Sequence, residues 1–365
     1  MDPNVMSDRY FMQTALKLAL KGKGKTSPNP MVGAVLVKGN RIIAEGWHRR
    51  CGGDHAEIAA LKKAGDRARG ARLYVTLEPC FHYGRTPPCV DQIIRQGIRE
   101  VIMAMKDPNP LTNGKSIAKL RRAGIKTRVG ILQEEALAVN EAFGKYITAK
   151  RPFVVAKCAQ TLDGKIATAA GHSRWITSLK ARDYAHALRD EFDAICVGIH
   201  TVLKDNPGLN GKSTARELKK VVLDPSLRVS PYARLFRKVK PMNCFLAVTK
   251  KASWRKIKSF RARGVHVLVC PQRDDRMDLK WLLKELAKRG IVSILMEGGA
   301  QTIGQALKQR VIDKFHIYVA PKIMGDQNAL SAVVGINTVN VNRAVRLKNL
   351  ALQKIGEDIL ITGYV

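Results

Sequence analysis

His55, Glu57, Cys80 and Cys89 are the residues of this 365-residue chain whose types and order can do chemistry together. An imidazole and two thiolates supply three ligands for zinc. Three protein ligands leave the fourth tetrahedral position to water, whose pKa the metal lowers to about 7. A carboxylate beside such a water takes its proton and passes it on. The set reads as a hydrolytic centre that displaces an amine from an aromatic amidine carbon, with His55, Cys80 and Cys89 on the metal and Glu57 as general acid/base. Cys51 is near enough in sequence to compete, but it stands ahead of the Gly52-Gly53 break and is read as non-ligating.

Particular elements must bring these four together. Residues two apart in mid-helix point to opposite faces, so His55 and Glu57 converge only where the chain enters a helix. Gly52-Gly53-Asp54 is such an entry, with Asp54 a candidate N-cap, and Ile58, Leu61 and the alanines between them follow as an apolar helical run. A strand over 73–77 delivers Glu78-Pro79-Cys80, and a helix begins after Cys89. Around them the pattern predicts a helix after Ser7, strands over 32–37, 41–47 and 101–105, and a helix over 117–123. A short strand near Lys126 and one helix over 134–146 complete a three-layer α/β alternation. Lys150-Arg151-Pro152 then punctuates the chain. A second α/β series follows, with strands over 153–159, 194–198, 220–223, 244–248, 265–270 and 292–296 and helices over 180–191 and 279–288. Two domains are expected, 1–149 and 150–365.

A content of 45% hydrophobic and 26% charged residues suits a globular protein with two full cores. No signal-like pattern and no apolar run of bilayer length is present, and an odd seven cysteines make no disulfide framework. The expectation is a cytoplasmic protein with no membrane partner. Lys+Arg 64 against Asp+Glu 30 gives +34, which raises the question of a polyanionic partner. The cations are dispersed, however, and in 234–240, 250–263 and 280–289 they alternate with apolar residues. Aromatics at 6% are too sparse for a base-stacking platform, and no nucleic-acid recognition motif is found. Nucleic acid is not an expected partner; a basic proteome or phosphate-bearing substrates account for the bias with fewer assumptions.

Longer motifs surround the four residues. The first half carries 27–33 around Asn29, Gly46-Trp47-His48, His55-Ala56-Glu57, and Leu77-Glu78-Pro79-Cys80 followed after eight residues by Cys89, then Asp107-Pro108-Asn109-Pro110. The second carries 157–167 with Leu162-Asp163-Gly164-Lys165, 173–178, Asp205-Asn206-Pro207, Glu297-Gly298-Gly299-Ala300 and Ala320-Pro321-Lys322. Together they resemble, over essentially the whole chain, the bifunctional riboflavin-biosynthesis family, a diaminohydroxyphosphoribosylaminopyrimidine deaminase fused to a 5-amino-6-(5-phosphoribosylamino)uracil reductase. Cytidine and tRNA-adenosine deaminases usually have a two-residue cysteine gap, so the gap of eight separates this chain from them.

The resemblance implies a cytidine-deaminase-like first domain and a second domain like dihydrofolate reductase. It implies that zinc-dependent loss of the 2-amino group of a phosphoribosylated pyrimidine precedes NADPH reduction of the ribosyl to a ribityl chain, in a homo-oligomer. By motif, Asn29, His48, His82 and Arg85 would hold the first substrate, Arg85 on its phosphate. NADPH would lie against Ala159, Trp175, Thr201, Asp205 and the Gly298-Gly299 turn. That turn joins a strand ending at Met296 to a helix from Gln301, whose first N–H groups suit a phosphate. The ribosyl phosphate and sugar would meet Ser173, Arg189, Leu209, Lys212 and Glu297. Four departures stand out. Phe81 replaces serine and is expected to line the pocket; Asn206 replaces an aspartate, Lys212 an arginine and Pro225 a serine. The alternatives left open are a chain active only in its deaminase half and a zinc deaminase acting on nucleic acid.

Overall fold

Ser7 accepts a hydrogen bond from the Tyr10 N–H and so caps helix α1 (Asp8–Leu20), the first element of the structure. The structure is a computed structural model that describes residues 7–81, 88–213, 217–237 and 240–365. Its contacts divide the chain into two units, Met1–Lys150 and Arg151–Val365. Lys150 ends the first unit in the left-handed region, φ 53°, one residue beyond the expected boundary.

In the first unit, β1 (Gly33–Lys38), β2 (Arg41–Trp47), α2 (Ala56–Ala64), β3 (Arg72–Val75) and α3 (Cys89–Arg95) follow α1. After them come β4 (Glu100–Met103), α4 (Lys115–Arg122), β5 (Lys126–Val129), α5 (Gln133–Val139) and α6 (Glu141–Ala149). The sheet order is β2-β1-β3-β4-β5, with β1 antiparallel to both neighbours and β3, β4 and β5 parallel. Two glycines show why helices cover both faces. A Cβ on Gly33 would stand 2.0 Å from the Ala15 carbonyl of α1, and one on Gly46 would stand 2.3 Å from the Ala56 carbonyl of α2. Gly46 pairs with Ala34, the neighbour of Gly33, so the two glycines face opposite sides of the sheet. The result is the three-layer arrangement, and the helices lie at backbone contact distance.

The single helix expected over 134–146 is two helices. Asn140, at φ −113°, leaves the helical region between α5 and α6 and spends its amide on the backbone of Met31: its Oδ1 accepts from the Met31 N–H at 2.8 Å and its Nδ2 donates to the Met31 carbonyl at 2.9 Å. Periodicity continues through such a break because the apolar stripe is preserved on both sides.

The second unit contains β6 (Phe153–Thr161), β7 (Lys165–Ala167), α7 (Leu179–Leu188), β8 (Ala194–Gly198), α8 (Ile199–Asp205), β9 (Lys219–Leu223), β10 (Cys244–Val248), α9 (Trp254–Ala262) and β11 (His266–Val269). It continues with the small hairpin β12 (Gln272–Arg273) and β13 (Arg276–Met277), α10 (Leu279–Ala287), β14 (Ser293–Met296) and α11 (Ala300–Lys308). It closes with β15 (Lys314–Ala320), β16 (Leu330–Ser331), β17 (Lys348–Ile355) and β18 (Asp358–Tyr364). Nine strands form one sheet in the order β11-β10-β9-β8-β14-β6-β15-β18-β17. It is parallel from β11 to β15 and antiparallel at β18 and β17. Alternate residues feed two apolar clusters: Val221 and Leu223 of β9 enter one and Val222 the other. Burial on both faces is what makes these strands read as unbroken apolar runs. The last three long strands were not anticipated from the sequence, and β17 is an exposed edge with little apolar patterning to betray it.

Candidate active sites

His55 is itself the N-cap of α2, with extended φ −69° and ψ 160°, and Asp54 instead lies exposed, paired with Lys62 at 2.7 Å. The candidate cap is thus corrected, and the reason is geometric: the extended residue before the first turn turns the imidazole toward the side chain of Glu57. Cys80 follows the end of β3, and Cys89 opens α3. Their ligand atoms all lie within 4.8 Å of one another. His55 Nδ1 is 3.1 Å from Cys89 Sγ and 3.6 Å from Cys80 Sγ, and the Cys89 N–H donates to Cys80 Sγ at 3.1 Å. Tetrahedral zinc bonds set neighbouring ligand atoms about 3.5 Å apart, so this imidazole and two sulfurs fit that ion. Cys51 is exposed and outside the cluster.

The titration behaviour follows from crowding. The Cys89 thiol and then His55 draw Cys80 down to about 4, while Cys80 in turn pushes Cys89 up. The bond to Cys80 lifts His55 to about 9 against the effect of burial. Burial, opposed by His55, holds the Glu57 carboxyl at about 7, where a proton shuttle works best near neutral pH.

Glu57 and His55 face a cavity of about 420 Å³ that Asn29, His48, Cys80, Glu78, Asp107 and Asn109 also line. His48 is buried, its Nδ1 2.9 Å from the Asp54 carbonyl and its Nε2 3.2 Å from Asn29 Nδ2. A ring nitrogen facing a carbonyl must donate, so in the neutral ring Nε2 accepts from the Asn29 amide. Burial lowers the His48 pKa, which favours the neutral ring. Two wall segments were not anticipated. Phe143, Tyr146 and Ile147 arrive on α6, which starts beside Asn140, itself bonded to the Met31 backbone. Glu78 accepts from the N–H groups of Asp107 at 3.2 Å and Gly114 at 2.9 Å, and so holds the loop that presents Asp107 and Asn109. Phe81 does not line the cavity; it packs against the core with the Lys119 ammonium 5.7 Å above its ring. The chain turns after Cys80 so that the ring points inward, which overturns the expectation of a narrowed pocket. His82 and Arg85 lie outside the described residues.

In the second unit, α8 and α11 start at the ends of neighbouring parallel strands, β8 and β14, each with a glycine N-cap and no capping side chain. Free N–H groups at two adjoining helix starts are an anion site in waiting. A Cβ on Gly299 would lie 3.9 Å from Thr201 Oγ1, and one on Gly298 would meet the Thr302 side chain at 2.7 Å. Asp205 closes α8, one turn after Thr201, and Ala159 lies on β6. Ser173 and Trp175 precede α7. The Trp175 ring is 61% exposed, with the Arg182 guanidinium 4.1 Å from its centre, and its carbonyl accepts from Lys322 at 2.8 Å.

Arg189 and Glu297 meet directly through two parallel bonds, 2.7 Å from Nε and 2.8 Å from the second nitrogen, and Arg189 also donates to the Asn210 carbonyl at 2.9 Å. Burial pushes the Glu297 carboxyl up, but the guanidinium outweighs it and the net shift is downward. Leu209 has its side chain in the core at φ 55°, so it can offer a ligand only its backbone. Lys212 is exposed, with its ammonium 3.8 Å from Asp183. Asn206 caps α8 in the left-handed region, φ 41°, which asparagine tolerates well, and accepts from the Arg234 N–H at 2.8 Å. Pro225 is exposed and its carbonyl accepts from Thr249.

Residues 5–105 match the cytidine and deoxycytidylate deaminase zinc-binding region, and residues 152–361 match the RibD C-terminal domain. The chain is 44% identical over 356 residues to the riboflavin biosynthesis protein RibD of Aquifex aeolicus (strain VF5), covering 97% of each. It is 36% identical over 373 residues to the protein of that name from Escherichia coli (strain K12), covering 98% of this chain and 99% of the other. A solved structure of Acinetobacter baumannii RibD superposes with TM-score 0.88 at 35% identity, covering 98% of each chain. A diaminohydroxyphosphoribosylaminopyrimidine deaminase/5-amino-6-(5-phosphoribosylamino)uracil reductase from Thermotoga maritima does so with TM-score 0.82 at 36% identity and the same coverage.

Proposed function

The chain belongs to the riboflavin biosynthesis protein RibD family, and from that premise we propose which of its residues carry each step. It is a bifunctional enzyme of riboflavin biosynthesis, its first half a zinc-binding deaminase and its second an NADPH-dependent reductase. The substrate of the first half is 2,5-diamino-6-(5-phosphoribosylamino)pyrimidin-4(3H)-one. His55, Cys80 and Cys89 hold zinc, which when bound supplies an acidified water and a Lewis acid. Glu57 takes a proton on its carboxylate and returns it to the ring nitrogen and the departing ammonia. Asn29 and His48 orient the pyrimidine, and His82 and Arg85, by motif, take its ribose and phosphate.

In the second half NADPH, when bound, would supply the hydride for reducing the ribosyl to a ribityl chain. Thr201, Asp205, Gly298 and Gly299 would hold its phosphates and sugar, with Ala159 and Trp175 as its further contacts. Arg189 has five N–H donors, three of which bond to other groups among the described residues, and the other two would serve the ribosyl phosphate. Glu297 keeps that fork in place and meets the sugar with Ser173, the Leu209 backbone and Lys212.

The chain works as a homo-oligomer, with a second copy along β17. That strand is a sheet edge with Leu350 61% and Leu352 73% exposed, an arrangement that proteins otherwise cover. Among the described residues no helix is long and apolar enough to cross a membrane, and all seven cysteines are unbridged. We place the enzyme in the cytoplasm on the second of these.

The observation that carries the residue assignment is the meeting of His55, Cys80 and Cys89 on the wall of the cavity that also holds buried Glu57. The test supplies the phosphoribosyl diaminopyrimidine with and without NADPH and follows ammonia and NADPH absorbance together. Ammonia should appear in both cases and absorbance should fall only after it. Ammonia release with no loss of absorbance as deaminated product accumulates would leave only the first half standing.

A further inference from the structure

Lys220 lies on β9 in the interior of the second unit with 1% of its surface exposed. A lysine is almost never buried without a carboxylate, because the ammonium loses its hydration. Here no carboxylate of the described residues lies within ion-pair distance. Its Nζ donates instead to Asn210 Oδ1 at 2.9 Å and to the Leu235 carbonyl at 2.8 Å. Burial lowers its pKa, and the nearby Arg189 lowers it further against Cys244 and Glu217.

The partners explain what this costly group does. Leu235 belongs to the turn that follows Ala233, and Asn210 to the loop that runs from the end of α8 to Lys212. That loop crosses the left-handed region twice, at Asn206 and at Leu209, and has no regular secondary structure to hold it. It is fastened at two points to the same turn, by Asn206 Oδ1 on the Arg234 N–H and by Lys220 between Asn210 and Leu235. The Asn210 carbonyl then receives the third bond of Arg189, whose other two hold Glu297. Lys220, Asn210, Arg189 and Glu297 thus form one continuous polar chain from the core to the site.

We infer that Lys220 is a positioning residue of the reductase half: it sets the 206–213 loop, and through Asn210 the Arg189–Glu297 fork, in the arrangement that receives the substrate. This rests on reading Leu209, Lys212 and Arg189 as the substrate's contacts. Lys220 touches no substrate itself, and its effect is therefore on binding.

The zinc-loaded full chain carrying Lys220→Met, Asn210→Leu or both is assayed with the deaminated phosphoribosylamino-pyrimidine and NADPH, and its melting temperature is measured. Methionine keeps the length and removes the unpaired buried charge but leaves Asn210 Oδ1 and the Leu235 carbonyl without their donor, so a modest fall in melting temperature is expected. The reductase KM should rise about tenfold in each single variant with kcat within about twofold, and the double variant should do no worse than either alone. Ammonia release should be unchanged in all three. A KM within twofold of the parent in Lys220→Met, or in Asn210→Leu should the first not fold, overturns the role. Lys212→Ala, run beside them, separates the two layers: if it raises KM while the others do not, the loop reading stands and only the positioning claim falls.

Discussion

Glu57 is a carboxylate placed where ionisation is finely balanced, buried against the two sulfurs and the imidazole, and its value near 7 is the product of that balance. Replacing it by glutamine keeps the shape and leaves the three ligands untouched, so Glu57→Gln should still bind one zinc per chain by metal analysis. Its ammonia release should fall by about 10²- to 10⁴-fold. Near-native turnover with full zinc would remove Glu57 from the shuttle. His55, Cys80 and Cys89 could be picked out together from sequence because few side chains bind zinc, and order plus spacing left one arrangement. The same reasoning could not reach Lys220, since in a chain with 64 basic residues a buried lysine looks like any other. Nor could it tell that Phe81 turns inward, because ring direction depends on how the chain leaves β3.

At the scale of elements, the strands and helices with strong periodicity were legible, and the joints between them were not. Asn140 is the clearest joint. It interrupts a helix to grip Met31, two residues from Asn29, and in the same stroke aligns α6 with the cavity. Asn140→Ala takes both partners from the half-buried Met31 N–H and carbonyl, a loss of about 1 kcal/mol for groups that water can partly reach. We expect a lower melting temperature for the first unit and a rise of about tenfold in the deaminase KM, with reduction unaffected. Unchanged ammonia kinetics would show that the loop holds its place without Asn140. The C-terminal strands escaped for a different reason. β15 is half-buried and β17 is an edge, so neither has the apolar run that marked the central parallel strands.

For the whole molecule, the division into two units has a direct test. A fragment of residues 151–365 should fold alone, reduce the deaminated substrate with NADPH in the absence of zinc, and run as a dimer by light scattering. Adding Leu350→Asp and Leu352→Asp should make it monomeric. A fragment that aggregates or is inactive while the full chain reduces would show that the second half needs the first. The two-domain plan and both activities were legible because each unit carries its own motif set on its own alternation, whereas the exposed edge strand β17 left no sequence pattern. Among the described residues the first unit's apolar cluster shares no residue with the three of the second. In genetic terms the gene should then behave as two cistrons in one reading frame: a lesion that empties one core should silence one step and spare the other. Two alleles broken in different halves can then complement each other in one cell, each supplying the step its counterpart has lost.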